Sequence, residues 1–280
     1  MSSPNSKPIL SLAETQDAHE LAAITTRAFE VSDAIYPIIW GNTEPGAHDT
    51  AVMLLYNPMQ SATIVTWKVE IEGKIVGYAR WSLPKDSGVT EVEMVEKNKE
   101  DDEIATAQHN KKVEEGWKTP AGMNFDLFMQ KVKSTVECKK RDYNAEKDML
   151  LYLCFVDPAY HKQGIGNLLL RWGLSMADKE GRKICLVSTP QARTFYEKSG
   201  WLVKENLEIN LEAYGRSEIY RRSWMIREAR AEEGLCQDLT KLPIKNRDSK
   251  ASSLSTELRG KYHVASIYGE SLTRHRDTRD

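Results

Sequence analysis

Eight consecutive apolar residues, Met149-Leu-Leu-Tyr-Leu-Cys-Phe-Val156, stop abruptly at Asp157-Pro158. A run of strand length without alternation predicts an interior β-strand covered on both faces. A short polar loop, 159–163, then meets Gly164-Ile165-Gly166-Asn167. After it Ile165, Leu168, Leu169, Trp172 and Met176 mark one face of a helix reaching about Glu180. A buried strand thus feeds a Gly-containing turn and a helix, the alternation of an α/β fold. Gly181 ends that helix, residues 183–187 read as another apolar strand, and Pro190 can start a helix with Ala192, Phe195 and Tyr196 on one face until Gly200 stops it. Residues 201–211 alternate like a strand, and 223–226 can add a last one.

Upstream, residues 9–13 read as a short strand, and Thr15 or Asp17 can cap a helix whose Leu21, Ile24, Ala28 and Phe29 recur at helical spacing. A Pro- and Gly-interrupted stretch, 36–46, precedes a second helical segment near 49–56 that Pro58 closes. Residues 63–71 and 74–81 are rich in β-branched and aromatic side chains. Glu72-Gly73 between them suits a tight turn at positive φ, which predicts a hairpin.

From Leu83 to about Lys147 the composition shifts, and residues 91–118 hold nine Asp or Glu against five Lys, as a solvated insertion would. Its later part can form a helix capped by Asn124, with Phe125, Phe128, Met129, Val132 and Val136 on one face. That face either packs on the core as a lid or forms a wall of an acceptor pocket. Beyond Glu228 the chain is polar, with scattered apolar residues, and reads as a disordered or loosely docked tail. The division expected is a polar leader at 1–8, one domain at 9–228 with the charged insertion at about 84–147, and the tail at 229–280.

The 280 residues are 40% apolar and 29% charged, which suffices for a buried core and excludes a disordered, collagen-like or disulfide-scaffold chain. A net charge of -2 supplies no global field toward nucleic acid or an anionic membrane, and no uninterrupted run of about 18 apolar residues occurs. Cys138, Cys154, Cys185 and Cys236 lie far apart, two of them inside apolar runs, as buried thiols in a reducing compartment do. A cytoplasmic protein is expected, with no nucleic-acid or membrane partner. The histidines are dispersed and no C-x-x-C occurs, so no metal site is expected.

A Gly-rich turn at a helix start gathers unpaired backbone N–H groups in front of the positive end of the helix dipole, an arrangement that binds phosphate. Gly164 and Gly166 fit that role because a Cβ would hold a pyrophosphate away from the amides, or because the turn demands positive φ. The P-loop pattern is excluded, since Asn167 and Leu168 follow Gly166 at the wrong spacing and without lysine. A dinucleotide fingerprint is weak, since no third glycine follows Gly164-Ile-Gly166. Taken alone, Gly-x-Gly at a helix start is also an ordinary tight turn.

The order and spacing of these segments resemble the GNAT superfamily of acetyl-CoA-dependent N-acetyltransferases. There a buried strand ending in Val and a Pro-containing turn lead to [QR]-x-x-G-x-[GA]; here stands Val156-Asp-Pro158-Ala-Tyr-His161-Lys-Gln-Gly164-Ile-Gly166. The family's later A-x-x-x-Y and G-F are matched by Ala192-Arg-Thr-Phe-Tyr196 and Gly200-Trp201, and its second and third strands resemble Val69-Glu-Ile-Glu-Gly-Lys-Ile-Val-Gly77-Tyr-Ala. The wording Leu170-Arg-Trp-Gly-Leu-Ser-Met-Ala-Asp178 is most similar to a divergent fungal branch.

The resemblance implies a mixed, mostly antiparallel sheet of about six or seven strands flanked by helices, and acetyl transfer to an amine. It implies that Phe155 and Val156 offer backbone groups to the pantetheine arm of acetyl-CoA. His161, Lys162, Gln163, Gly164, Ile165, Gly166 and Asn167 would hold the pyrophosphate. The strand would splay from its neighbour so that the thioester lies in the gap, and Tyr196 would be the general acid that protonates the departing thiolate. A phenol suits that role, since its reference pKa of about 10 keeps the proton in place at neutral pH. His161 and Thr189 depart from the family's Gln or Arg and Asn. The general base is open among Glu70, Asp148 and a water chain. A small-molecule amine is favoured over a protein lysine, because no acidic or peptide-binding motif stands out; the alternative is a non-catalytic acyl-CoA-binding scaffold.

Overall fold

Strands β2 (Ile64–Ile71) and β3 (Lys74–Ser82) meet at Glu72 and Gly73, whose φ angles of 53° and 77° put both turn residues in the left-handed region. Such a turn matches the right-handed twist of the strands it joins, and the hairpin read from the sequence forms there. This computed structural model describes residues 7–53, 56, 59–61, 63–85, 87 and 119–230. Among them a seven-stranded sheet runs in the order β1-β2-β3-β4-β5-β7-β6. The further strands are β1 (Ile9–Leu12), β4 (Met149–Val156), β5 (Ile184–Ser188), β6 (Leu202–Asn210) and β7 (Ile219–Arg227). All neighbours are antiparallel except β4 and β5. The fold is the mixed, mostly antiparallel α/β sheet expected.

Helices cover both faces. On one lie α1 (Ala18–Ser32), α2 (Tyr36–Trp40), α3 (Ala47–Met53) and α4 (Phe125–Asp142), packed on Tyr78, Leu150, Phe155, Tyr220 and Trp224. On the other, α5 (Ile165–Glu180) and α6 (Arg193–Lys198) pack on Val76, Trp81, Met149, Leu151 and Met225. Asn124 caps α4 as expected, its side chain accepting the Leu127 N–H at 3.1 Å. Gly181 closes α5 at φ 67°.

α5 comes close to the sheet because residue 173 is glycine. A Cβ there would stand 2.4 Å from the Cη2 and Cζ2 atoms of Trp81, a side chain with no exposed surface. That contact fixes the height of α5 above β3, and with it the position of the Gly164 turn at the helix start.

Several expectations need correction. α2 forms inside the stretch read only as interrupted, Pro37 standing in its first turn, where no N–H is needed. β7 spans 219–227 and not 223–226, because Arg222 is buried under α4 and a charge at that position hid the alternation. α6 starts at Arg193, with Pro190 in the turn before it. β4 is interior but covered on both faces only at its start: Met149 to Leu151 are buried, and the five residues after them are exposed or half-buried. The leader up to residue 6, Pro58, the acidic stretch 91–118, Cys236 and the tail from 231 lie outside the described residues.

Candidate active site

β4 and β5 pair only at Met149 with Ile184 and at Leu150 with Cys185, and then diverge. β3 follows β4 all the way to Val156, while β5 continues against β7 to Ser188. A wedge therefore opens between two parallel strands in the middle of the sheet, with β4 presenting an unpaired edge. Asp157 N–H donates to Val76 O at 2.9 Å, so the peptide before it turns its carbonyl, that of Val156, the other way, into the wedge. By ladder alternation Cys154 and Val156 direct their N–H groups into the wedge, whereas the polar backbone atoms of Phe155 bond to β3. The sequence reading, which assigned both Phe155 and Val156 to the pantetheine arm, does not make that distinction.

The wedge leads to the Gly164 turn. Residues 161–164 are exposed, and φ is 61° at Lys162 and 81° at Gly164, the geometry that turns successive amides toward one side as an anion nest. The first intrahelical bond of α5 here is Leu168 N–H to Gly164 O, 3.1 Å, so the amides of Ile165, Gly166 and Asn167 have no acceptor within the helix. His161 folds back, and since a carbonyl only accepts, its Nε2 carries the proton donated to Val156 O at 3.0 Å. The two glycines serve different ends. Gly164 is there for its positive φ, with open space where a Cβ would stand; at Gly166 a Cβ would meet the Phe195 ring at 2.9 Å, so packing by α6 excludes a side chain.

Asp157 anchors the end of β4. Its carboxylate accepts from Arg27 Nε at 3.0 Å and Nη2 at 2.8 Å, and from the Ala159 N–H at 3.0 Å, tying α1 to the strand end and the loop.

Tyr196 is buried on α6, its ring against Phe195 and Trp201, with its hydroxyl beside the Cys154 thiol on the wedge edge. Burial, and next the neighbouring thiol, push its pKa well above the usual range of a phenol. Burial likewise pushes the Cys154 thiol up to about 12.

On the opposite face the wedge is roofed by α1 and α4. Phe29 packs edge-on against Phe155 with ring centres 4.9 Å apart, and Lys131 Nζ lies 4.9 Å from the Phe29 ring centre while pairing at 2.6 Å with the wholly buried Asp33 carboxylate. His48 packs on Phe29, Tyr36 and Trp40. Thr26 donates its hydroxyl proton to Asp49, so the 2.7 Å contact of His48 with Thr26 is a donation from Nδ1. Burial, and then Lys131, lower the His48 pKa to about 3, which keeps the ring neutral.

Of the candidate bases, Asp148 lies at the far end of β4, bonded to the Asn144 N–H and paired with Lys183; eight residues of strand, about 26 Å, separate it from Val156. Glu70 lies on β2 beside Lys68, across β3 from the wedge. Neither is brought to Tyr196. Among the described residues no group of three or more His, Cys, Asp or Glu could hold a metal ion, and no helix is long and apolar enough to cross a membrane.

Arg27, Asp33, His48 and Lys131 escaped the sequence reading. The one legible signal was the row Lys131, Thr135, Lys139 at helical spacing within a segment already read as a helix.

Residues 136–210, from the middle of α4 to the end of β6, match the family model of the acetyltransferase (GNAT) domain. No curated protein matches the chain in sequence. Among solved structures, the ribosomal-protein-S18-alanine N-acetyltransferase of Escherichia coli is 15% identical, covering 82% of this chain and 99% of its own at a TM-score of 0.41. The PaiA N-acetyltransferase of Thermoplasma acidophilum, solved with coenzyme A, is 11% identical over 79% and 99% at 0.42. YncA of Salmonella typhimurium, solved with its cofactor acetyl-CoA, is 13% identical over 81% and 95% at 0.44.

Proposed function

We propose that residues 9–228 form one acetyltransferase unit, interrupted by the insertion at about 84–147, that moves an acetyl group from acetyl-CoA to the nitrogen of a small-molecule amine. The observation that carries this reading is the wedge between β4 and β5 leading to an amide nest at the start of α5. The match of residues 136–210 to the acetyltransferase (GNAT) domain supports it over the same stretch.

An extended amide-bearing arm fits a strand edge whose own partner has diverged, because the edge offers the ladder bonds that a neighbouring strand would have made. Val156 would take that part, with Phe155 contributing its ring on the α1 side. The exposed turn His161, Lys162, Gln163 and Gly164, with the free amides of Ile165, Gly166 and Asn167, fits a pyrophosphate, since three N–H groups and the helix dipole act together. Acetyl-CoA supplies the activated acyl group. The chain's part is to hold it in the wedge, to aim an N–H at its carbonyl oxygen, and to keep a proton on the Tyr196 oxygen for delivery to sulfur.

Replacing Tyr196 by Phe tests the assignment. Turnover, followed as coenzyme A thiol released in the presence of an amine, should fall by about 10²–10⁴-fold with acetyl-CoA affinity nearly unchanged. An unchanged rate would remove Tyr196 from the chemistry, and no turnover by the parent protein would favour the acyl-CoA-binding scaffold.

A further inference from the structure

We infer that the acceptor is an amine bearing a carboxylate, drawn in by lysines and an arginine that α4 and β7 place over the β4–β5 wedge. This rests on the acetyl-transfer reading and deepens it. Tyr196 and the α5 nest lie on the α5 side of the sheet, which leaves the α1 and α4 side for the attacking nitrogen.

On that side the cations of α4 and β7 are unevenly paired. Lys131, Thr135 and Lys139 recur every fourth residue of α4 and share a helix face. Lys131 has Asp33 as its partner. Lys139 makes no ion pair among the described residues; its ammonium stands 5.8 Å from the Tyr152 ring centre, on β4 where the strands part. Arg222 is 5% exposed, and its guanidinium bonds only neutral oxygens: Lys131 O at 2.5 Å, Ser134 Oγ at 2.9 Å and Thr135 Oγ1 at 3.1 Å. Its Nε has no hydrogen-bond partner, and the hydroxyl of Tyr220, which is 4% exposed, lies beside the Asp33 carboxylate.

Of these three cations only Lys131 is paired with a carboxylate among the described residues, and one buried donor, the Nε of Arg222, is unused. Burial is costly for cations left without counter-charge, so the cluster favours an anionic ligand. His48 adds no charge, being neutral, and the Phe29 ring links Lys131 to Phe155 at the wedge. A carboxylate held at Lys139, over Tyr152 on β4, would leave an amine on the same small molecule free to point toward the thioester.

The test uses matched pairs: glycine, β-alanine, γ-aminobutyrate and L-aspartate, each against its amide. Coenzyme A release by the full chain is followed with both members. The amide's amine is the less basic, so a preference for the acid does not come from easier deprotonation. The expected result is that at least one acid exceeds its amide about tenfold or more in kcat/KM. The ratio should fall toward one in Lys139→Met, which keeps the apolar stem without the ammonium, and recover in Lys139→Arg. Equal use of both members, or preference for the amides, would overturn the inference while the observed turnover upheld acetyl transfer.

A readout independent of turnover is the thermal midpoint of the chain titrated with the same compounds. A rise with at least one acid, absent with its amide and lost in Lys139→Met, is expected; no rise with any acid overturns the inference. Calorimetry with acetyl-CoA judges the acetyl-transfer reading separately.

Discussion

Gly173→Ala isolates the contact that sets the height of α5. In an ordinary helix interior this change stabilises, because alanine is favoured over glycine by about 1 kcal/mol. Here the added methyl would stand 2.4 Å from two atoms of the Trp81 ring, against ordinary contacts of 3.4–4 Å. Helix and strand must then separate by about 1 Å, or the indole must leave its place, and Trp81 is 0% exposed with core on every side. Overpacking of this kind costs about 2–3 kcal/mol, so the net expectation after the propensity gain is a loss of about 1–2 kcal/mol. Urea unfolding followed by circular dichroism measures it as a lower midpoint at unchanged slope. Trp81→Phe removes the atoms in conflict, so in the Gly173→Ala background it should cost less than alone, with a coupling of about 1–2 kcal/mol. A Gly173→Ala protein as stable as its parent, or more stable, would refute the close approach and the account of how the Gly164 turn is positioned.

His48 makes stability depend on pH. Its folded pKa of about 3 lies below the 6.5 of a free imidazole, so the contribution is complete above pH 6.5 and is lost as pH falls toward 3. The slope reaches about 1.4 kcal/mol per pH unit, and His48→Gln should flatten the profile across that window in urea titrations at a series of pH values. Asp157→Ala removes the acceptor of Arg27 and of the Ala159 N–H together, and should cost about 1–3 kcal/mol by the same assay. Asp157→Asn, which keeps one oxygen for Ala159, should lose less.

The sequence made the sheet legible wherever one physical cue dominated. Continuous apolar residues located β4, Glu72-Gly73 located the hairpin, and Gly164 and Gly181 bracketed α5. It misled where two demands met on one strand. The uniform apolarity of β4 reads as complete burial, yet the stretch from Tyr152 to Val156 lines the wedge, and an unpaired strand edge carries the same residues as a core. Arg222 falls outside the 223–226 read as a strand because the pair Arg221-Arg222 looks like a strand's end, whereas α4 supplies the three acceptors that let Arg222 be buried. The turn at Gly164 and the start of α5 were legible because their spacing is local. The α1 and α4 side was not, since Asp33 and Lys131 are 98 residues apart and only the fold brings them together.

Calorimetric titration of the full chain with acetyl-CoA, beside Gly164→Asp, addresses the central claim most directly. Residue 164 has φ 81° and open space around a Cβ, so aspartate, which tolerates that conformation better than most side chains, should leave the fold standing while placing a negative charge in the nest. Binding by the parent chain and its loss in the variant is the result predicted. Absence of binding by the folded parent, or equal binding by both, would contradict the assignment of the Gly164 turn as the pyrophosphate site.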